Sequence, residues 1–142
     1  MKQEYKDWFI ENRDLEQYTY KESDRSYSCT NIYFKDVPFH QDLKEYIYSY
    51  NLVSPNTDYK VYHIHTWNEG DFFNEHTDNN LSRIWAYVCE LKASECNTKL
   101  KANGEDMIEG VFDSNTLHTL PMIKKGVRIS LTVFGGPKPS LL

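Results

Sequence analysis

The sequence predicts a mainly β domain of the α+β class, because helical patterns come first in the chain and strand patterns follow. Apolar residues recur at helical spacing in two N-terminal stretches, and short β-branched and aromatic segments separated by turn residues come afterwards. Many short strands joined by turns indicate a two-sheet barrel or jelly roll. The 142 residues contain no Pro/Gly/Ser-rich linker and no internal repeat, so we expect a single domain over residues 1–142.

Two helices are predicted within residues 1–55, where they would support the sheet. An apolar stripe made by Met1, Tyr5, Trp8 and Phe9 predicts a surface helix over residues 1–13. A second helix follows Pro38, whose missing N–H costs nothing in a first turn, and the pattern ends at residues 54–56. The apolar stripe of this second helix consists of Phe39, Leu43, Tyr46, Ile47 and Tyr50.

Strands dominate the rest of the chain, with a predicted jelly-roll core over residues 56–136. The charged, aperiodic residues 14–26 predict a loop or a weak edge strand ahead of that core. Residues 93–105 are polar and predict at most one short strand. The expected strands are Ser28–Phe34, Tyr59–Trp67, Arg83–Leu91, Thr98–Lys101 and Gly126–Phe134, the last ended by Gly135-Gly136-Pro137.

Charge and composition narrow the classes of partner. The net charge is −5 and the 16 Lys and Arg residues are scattered, which disfavours nonspecific nucleic-acid binding, although 11 Tyr and 3 Trp could stack on a short single strand. The N-terminus has no hydrophobic signal region, so we expect a cytoplasmic protein without a membrane segment. Three cysteines without CxxC spacing predict buried free thiols. The oligomeric state stays open.

His76 and Asp78 are candidate metal ligands, because side chains two residues apart on an extended backbone point the same way. His118 is the best third ligand. Two histidines and one carboxylate leave half of the coordination sphere open, as in non-haem Fe(II) oxygenases, whereas structural zinc sites are closed. The alternative is a surface turn with a hydrogen-bonded core histidine.

One face of the Tyr59–Trp67 strand carries Val61, His63, His65 and Trp67, a mixture that indicates the lining of a wet cavity. His63 and His65 are therefore candidate pocket residues. Their spacing is also compatible with a second metal site that includes His76, but hydrogen-bonded histidines are the commoner case. Trp67 could equally serve in packing.

The last strand places Arg128, Ser130 and Thr132 on one face and aliphatic residues on the other. A buried arginine requires an anion, and none is present on its own strand. An external carboxylate held by charge-assisted hydrogen bonds is a natural partner. A structural ion pair with an Asp or Glu of the chain is the alternative.

The order of these features resembles a known family. Trp67, Gly70, Phe73, His76 and Asp78 precede a glycine-led segment at 110–112, then His118, and then Gly-x-Arg-x-Ser with Arg128 and Ser130. From Tyr62 to Phe134 this arrangement resembles the 2-oxoglutarate and Fe(II)-dependent dioxygenases, in particular their prolyl 4-hydroxylase-like branch.

The resemblance implies a double-stranded β-helix, that is, a cupin-like jelly roll, with one or two covering helices. It also implies Fe(II) bound by His76, Asp78 and His118, and 2-oxoglutarate bound by Arg128 with Ser130 and Trp67 nearby. Dioxygen would be the oxidant, and ascorbate a supporting reductant. The implied reaction couples decarboxylation of 2-oxoglutarate to succinate with hydroxylation of an unactivated C–H, in a prolyl residue of a peptide or protein. Candidate residues for the substrate pocket are His63, His65 and Glu90.

Two positions depart from the family pattern. Trp67 stands where a tyrosine usually contacts the cosubstrate, and an indole can donate but not accept a hydrogen bond. Glu90 takes the place of a second tyrosine. A carboxylate facing the cosubstrate would repel it, so Glu90 points outward, pairs with a cation, or lies in a different register.

Three functions remain open from the sequence. The first is a hydroxylase of peptidyl residues. The second is a 2-oxoglutarate oxygenase of a small metabolite, a free amino acid or a nucleobase. The third is a catalytically silent jelly-roll module that binds metal.

Overall fold

A computed structural model describes residues 1–79 and 83–138, so the last four residues of the predicted domain lie outside the described part. Its helices are α1 (Gln3–Glu11) and α2 (His40–Tyr48), with a 3₁₀ turn at Phe34–Asp36. The strands, in chain order, are β1 (Tyr18–Lys21), β2 (Arg25–Tyr33), β3 (Thr57–Asp58), β4 (Val61–Trp67), β5 (Phe72–His76), β6 (Trp85–Lys92), β7 (Leu100–Ala102), β8 (Glu105–Met107), β9 (Glu109–Asp113), β10 (His118–Leu120) and β11 (Arg128–Pro137). Within the described ranges, no helix has the length and apolar character needed to cross a membrane.

The strands form a strongly curved antiparallel sheet in the order β8-β7-β10-β5-β2-β4-β11-β6-β9. β1 pairs with β2, and β3 pairs with the end of β11. The prediction of a mainly β fold with two N-terminal helices is confirmed. The predicted start of the jelly-roll core at residue 56 stays a prediction, and β1 and β2 lie before that point within the same sheet.

Both helices cover one face of the sheet. Phe9 of α1 and Leu43 and Ile47 of α2 are almost fully buried against Tyr62 and Leu131 of the central strands. The rings of Phe9 and Tyr62 lie 5.3 Å apart. Each such side chain contributes about 1.5–3 kcal/mol when it leaves water. The apolar stripes of the helices therefore hold the sheet from this side and leave its other face to form a cavity.

Strand β11 separates this core from the cavity. Ile129, Leu131 and Val133 are buried among the helix-facing residues. The alternate residues Arg128, Ser130 and Thr132 point to the other side and are buried as well. Because successive side chains of a strand alternate between its faces, one strand supplies both packing groups and polar groups to the cavity.

Several boundaries differ from the predictions. The short strand predicted at Thr98–Lys101 is found as β7, shifted to Leu100–Ala102. It pairs with β8, which was not predicted, in a hairpin around Asn103-Gly104, whose φ angles of 51° and 80° fit a two-residue type I′ turn. Strand β11 continues through Gly135 to Pro137, because β3 pairs with this end. The expectation of buried thiols holds for Cys29 and Cys89 and is wrong for Cys96, which is exposed.

Gly135→Ala is expected to destabilise the fold. A Cβ at this position would lie 2.0 Å from Cε2 of Trp85, whose Nε1 donates to Thr57 Oγ1 at 2.7 Å and so cannot move freely. Overpacking of this kind costs about 1–3 kcal/mol, which urea denaturation would measure. Gly110→Ala is the matched control, since the added Cβ meets only the flexible Met107 side chain at 3.3 Å. Equal losses in both variants would contradict this account.

Candidate metal centre and cavity

Strands β5 and β10 bring the three predicted metal ligands together. His76 ends β5, His118 begins β10, and the two residues are direct partners in the antiparallel register. Asp78 follows His76 by two residues, and one ligand atom from each of the three side chains lies within 4.8 Å of the others. His76 Nε2 lies 3.9 Å from Asp78 Oδ1, and His118 Nε2 lies 3.5 Å from Asp78 Oδ2. A separation of some forty residues is thus closed by a single strand pairing.

Backbone carbonyls set the proton positions on both imidazoles. His76 Nδ1 lies 2.7 Å from the carbonyl oxygen of Asn74, and His118 Nδ1 lies 3.0 Å from that of Thr116. A carbonyl oxygen only accepts, so each Nδ1–H donates and each neutral ring keeps its lone pair on Nε2. Both lone pairs then face the Asp78 carboxylate. This is the tautomer that binds metal ions through Nε2.

The Asp78 carboxylate itself points to a cation. It is 8% exposed, and its buried Oδ2 has no hydrogen-bond partner among the described residues. Arg83 Nη1 lies 3.5 Å from the other oxygen, Oδ1. A buried carboxylate oxygen without a partner is costly, and two imidazole lone pairs beside it add to the cost. A divalent cation would satisfy all three groups, so the donor set fits a metal ion.

A single cavity of about 460 Å³ joins this triad to the predicted carboxylate-binding residues. Strands β4 and β11 form one wall, in which Trp67 pairs with Arg128, His65 with Ser130 and His63 with Thr132. These six side chains all line the cavity. Trp67 Nε1 donates to Ser130 Oγ at 3.0 Å. The structure therefore places Trp67, Arg128, Ser130, His63 and His65 in the same cavity as the triad.

Glu90 occupies a different place from the one predicted for a pocket residue. It is the register partner of Ser130 on β6, and its carboxylate accepts from Arg128 Nε at 3.3 Å and from Lys99 Nζ at 2.6 Å. Neither Glu90 nor Lys99 is among the residues that line the cavity. Of the three options for Glu90, pairing with a cation is the one observed. The sequence analysis favoured an external carboxylate as the partner of Arg128, with an ion pair inside the chain as the alternative. The structure shows such an ion pair, with Glu90 on the neighbouring strand β6.

Burial lowers the pKa of Arg128. The residue is 3% exposed, and its removal from water lowers the pKa of the guanidinium below the ordinary 12.5, while the Glu90 carboxylate acts in the opposite direction. An arginine stays protonated after such a shift at physiological pH. The cavity therefore contains a fixed positive charge at the β11 wall, facing the metal ligands across the same space.

His63 and His65 are neutral cavity residues. Burial lowers the pKa of His63 to about 4, with a further contribution from Arg83, and that of His65 to about 3, with further contributions from His63 and Arg128. His63 Nδ1 lies 2.7 Å from Asn31 Oδ1, which supports the hydrogen-bonded alternative. In the described part of the chain, the group of three ligands at the triad is the one that could hold a metal ion, and it includes neither residue.

Several cavity residues escaped the sequence reasoning. Phe73 stacks on the His76 ring at 3.8 Å and so orients a metal ligand. Arg83 contacts Asp78, and its guanidinium carbon lies 3.9 Å from the Phe134 ring centroid. Phe73 was noted only as a position of the family pattern. Its spacing of three residues from His76 does not match the two-residue period of a strand, so the sequence carries no signal for stacking of the two rings.

No protein-family model and no curated protein matches the sequence. Solved structures do match. A viral collagen prolyl hydroxylase from Paramecium bursaria Chlorella virus-1, determined with 2-oxoglutarate, superimposes with a TM-score of 0.72 at 14% identity, over 95% of this chain and 91% of that one. A Pseudomonas putida prolyl-4-hydroxylase gives 0.63 at 15% identity, over 98% and 89%.

The chain has the fold of the prolyl 4-hydroxylases. A Trichoplax adhaerens prolyl hydroxylase, in complex with a peptide fragment of the hypoxia inducible factor oxygen degradation domain, also matches, with a TM-score of 0.55 at 11% identity, over 95% of this chain and 76% of that one. The predicted resemblance and the jelly-roll fold are confirmed at the level of architecture. In this prolyl 4-hydroxylase-like fold, the triad lies at the pairing of β5 with β10, and Arg128 lies on β11.

The effect of Asp78→Asn on stability is expected to depend on metal. In metal-free protein the substitution removes a buried charge, so the free energy of unfolding should not fall. With Mn²⁺ or Fe²⁺ at 100 times the dissociation constant, the unsubstituted protein should gain about 2.7 kcal/mol and Asp78→Asn should gain far less. Thermal denaturation under nitrogen measures both effects.

Glu75→Gln serves as the control for this test, because Glu75 is an exposed carboxylate next to the triad. It should respond to metal as the unsubstituted protein does. Equal metal stabilisation of Asp78→Asn and Glu75→Gln would remove the triad from consideration as a metal site.

Acidification is expected to destabilise the fold through His63 and His65. Their folded pKa values of about 4 and about 3 lie below the ordinary 6.5, so the unfolded chain binds more protons as the pH falls below 6.5. The two histidines therefore do not reduce the free energy of unfolding above pH 6.5, and they reduce it progressively as the pH falls from 6.5 toward 4. Each histidine contributes a slope of up to about 1.4 kcal/mol per pH unit. The free energy of unfolding, measured by urea denaturation between pH 7.5 and 5, should change less with pH in His63→Gln/His65→Gln than in the unsubstituted protein. An unchanged pH dependence would contradict the assignment.

Proposed function

We propose that the protein is an Fe(II)- and 2-oxoglutarate-dependent dioxygenase that hydroxylates an unactivated C–H, in a prolyl residue of a peptide or protein. The observation that carries the proposal is one cavity with a metal-binding triad on one wall and a buried guanidinium on another. The fold shared with solved 2-oxoglutarate oxygenases supports it. The proposal assigns this activity to one domain that includes residues 1–142.

The proposed roles follow from the contacts. His76, Asp78 and His118 would hold Fe(II) at the cavity that all three residues line. Arg128 binds the distal carboxylate of 2-oxoglutarate through a charge-assisted contact. Ser130 assists, since its oxygen already accepts from Trp67 and its own O–H is therefore available to a carboxylate. Bound iron, with 2-oxoglutarate and dioxygen, supplies the oxidising chemistry that converts 2-oxoglutarate to succinate and carbon dioxide and a substrate C–H to C–OH.

The rest of the cavity is proposed to receive the substrate side chain. A volume of about 460 Å³ exceeds what 2-oxoglutarate needs, so space remains beside the triad. His63 and His65 are uncharged there. The unprotonated nitrogen of each neutral ring can accept a hydrogen bond from a peptide N–H. The solved relative with a bound peptide supports a peptide or protein as the substrate class.

Turnover and cosubstrate binding test this proposal. The protein with Fe(II), 2-oxoglutarate and dioxygen should release succinate, and release should rise when a prolyl-containing peptide is added. Arg128→Ala should weaken 2-oxoglutarate binding by about 10²–10³, because a buried charge pair costs about 3–5 kcal/mol when one member is removed. Isothermal titration in the presence of Mn²⁺ measures the affinity.

Lys101→Ala is the control, since Lys101 forms an exposed ion pair with Asp106. Unchanged 2-oxoglutarate affinity in Arg128→Ala would refute the role of Arg128. Stoichiometric metal and 2-oxoglutarate binding without succinate release would indicate the silent metal-binding module. Turnover that rises with free amino acids or metabolites and not with peptides would indicate the small-molecule oxygenase.

A further inference from the structure

Behind the cavity wall, three charged side chains from β6, β11 and the segment before β7 form one buried cluster. Arg128 is 4% exposed in its side chain, Glu90 7% and Lys99 12%. Glu90 lies between the two cations and contacts both. Arg128 alone of the three reaches the cavity.

The two contacts of Glu90 are unequal. The Lys99 ammonium lies 2.6 Å from Oε1, the length of a strong charge-assisted hydrogen bond. Arg128 contacts Oε2 through Nε alone, at 3.3 Å. A carboxylate that neutralised Arg128 fully would engage two guanidinium nitrogens at shorter distances. Within the described residues, the guanidinium makes no hydrogen bond besides the one to Glu90.

The cluster therefore has one positive charge in excess, and Arg128 presents it to the cavity. A buried cluster with net charge is costly unless an anion completes it. Without Lys99, the same Glu90 carboxylate would neutralise Arg128, and the wall would carry no net charge. Lys99 thus shares the Glu90 carboxylate with Arg128, although Lys99 does not line the cavity.

We propose that Lys99 sets the affinity of the cavity for a carboxylate ligand by occupying Glu90, which keeps Arg128 free to bind that carboxylate. The proposal deepens the proposed function and rests on it, since the ligand in question is the distal carboxylate of 2-oxoglutarate. Lys99 and Glu90 are positioning residues in this account. The single Nε contact leaves the two outer guanidinium nitrogens without a hydrogen-bond partner among the described residues.

A single and a double substitution together test the proposal. The single substitution should weaken 2-oxoglutarate binding and the second should restore it, which a purely structural role of the cluster would not produce. Lys99→Met keeps the side-chain length and leaves Glu90 to neutralise Arg128, so 2-oxoglutarate binding should weaken by about tenfold or more. In Glu90→Gln/Lys99→Met, Arg128 again has one uncompensated charge, and the affinity should return to within about threefold of the original. The affinities are measured by isothermal titration of the full chain loaded with Mn²⁺.

Two controls accompany these two variants. Lys92→Met removes an equal charge from the exposed end of β6 and should leave 2-oxoglutarate affinity unchanged. Oxalate chelates the metal and lacks a distal carboxylate, so Lys99→Met should bind oxalate as the original protein does. Normal oxalate binding also establishes that the variant is folded and holds its metal.

Two outcomes would overturn the inference and leave the proposed function intact. One is equal 2-oxoglutarate affinity in Lys99→Met and the original protein. The other is a double variant that binds as weakly as Lys99→Met, or more weakly, which indicates that the cluster only supports the fold. Failure of the unsubstituted, metal-loaded protein to bind 2-oxoglutarate would instead overturn the proposed function and the inference with it.

Discussion

The antiparallel pairing of β11 with β4 and β6 is the constraint on which the rest of the structure depends. This pairing turns Ile129, Leu131 and Val133 toward the helices and Arg128 and Ser130 toward the cavity. A shift of one residue would exchange these faces, placing a guanidinium among the aromatic rings of α1 and α2. The apolar residues of β11 therefore fix the register, and the register fixes where the cavity receives its positive charge. Packing and binding are set by the same strand.

The second feature of the architecture is that buried charges occur in two separate groups with opposite needs. At the triad, the buried Asp78 Oδ2 and two imidazole lone pairs face one another, while Arg83 contacts only the other oxygen, Oδ1. At the β11 wall, two cations share one carboxylate. Each group is unfavourable alone, because its buried polar and charged atoms lack a full set of partners of opposite charge. A metal ion would satisfy the first and an organic anion the second, and the two sites open into one cavity.

The sequence predicted those features that depend on local periodicity. Alternation on β4 and β11 places His63, His65 and Arg128 on their faces, and the spacing of His76 and Asp78 predicts their shared direction. Contacts between segments that are distant in the chain could not be predicted from local patterns. His118 was selected by order in the family pattern, and only the fold brings it beside His76. Lys99 lies in a polar stretch without periodicity, so nothing local marked it as the partner of Glu90. The β7–β8 hairpin did carry a signal, Asn103-Gly104, whose preference for type I′ turns was overlooked.

The charge of the cavity differs from that of the protein as a whole, whose net charge is −5. Among the residues that the structure describes, three arginines line the cavity, Arg25, Arg83 and Arg128, together with two aspartates, Asp24 and Asp78. A divalent ion at the triad would add further positive charge next to Asp78. The cavity would then attract an anion although the surface as a whole repels it, and low-dielectric walls strengthen that local field. Neutral His63 and His65 add no competing charge near the substrate space. Under the proposed function, selectivity for a dicarboxylate would arise inside the cavity, where one anionic end would meet the metal side and the other would meet Arg128.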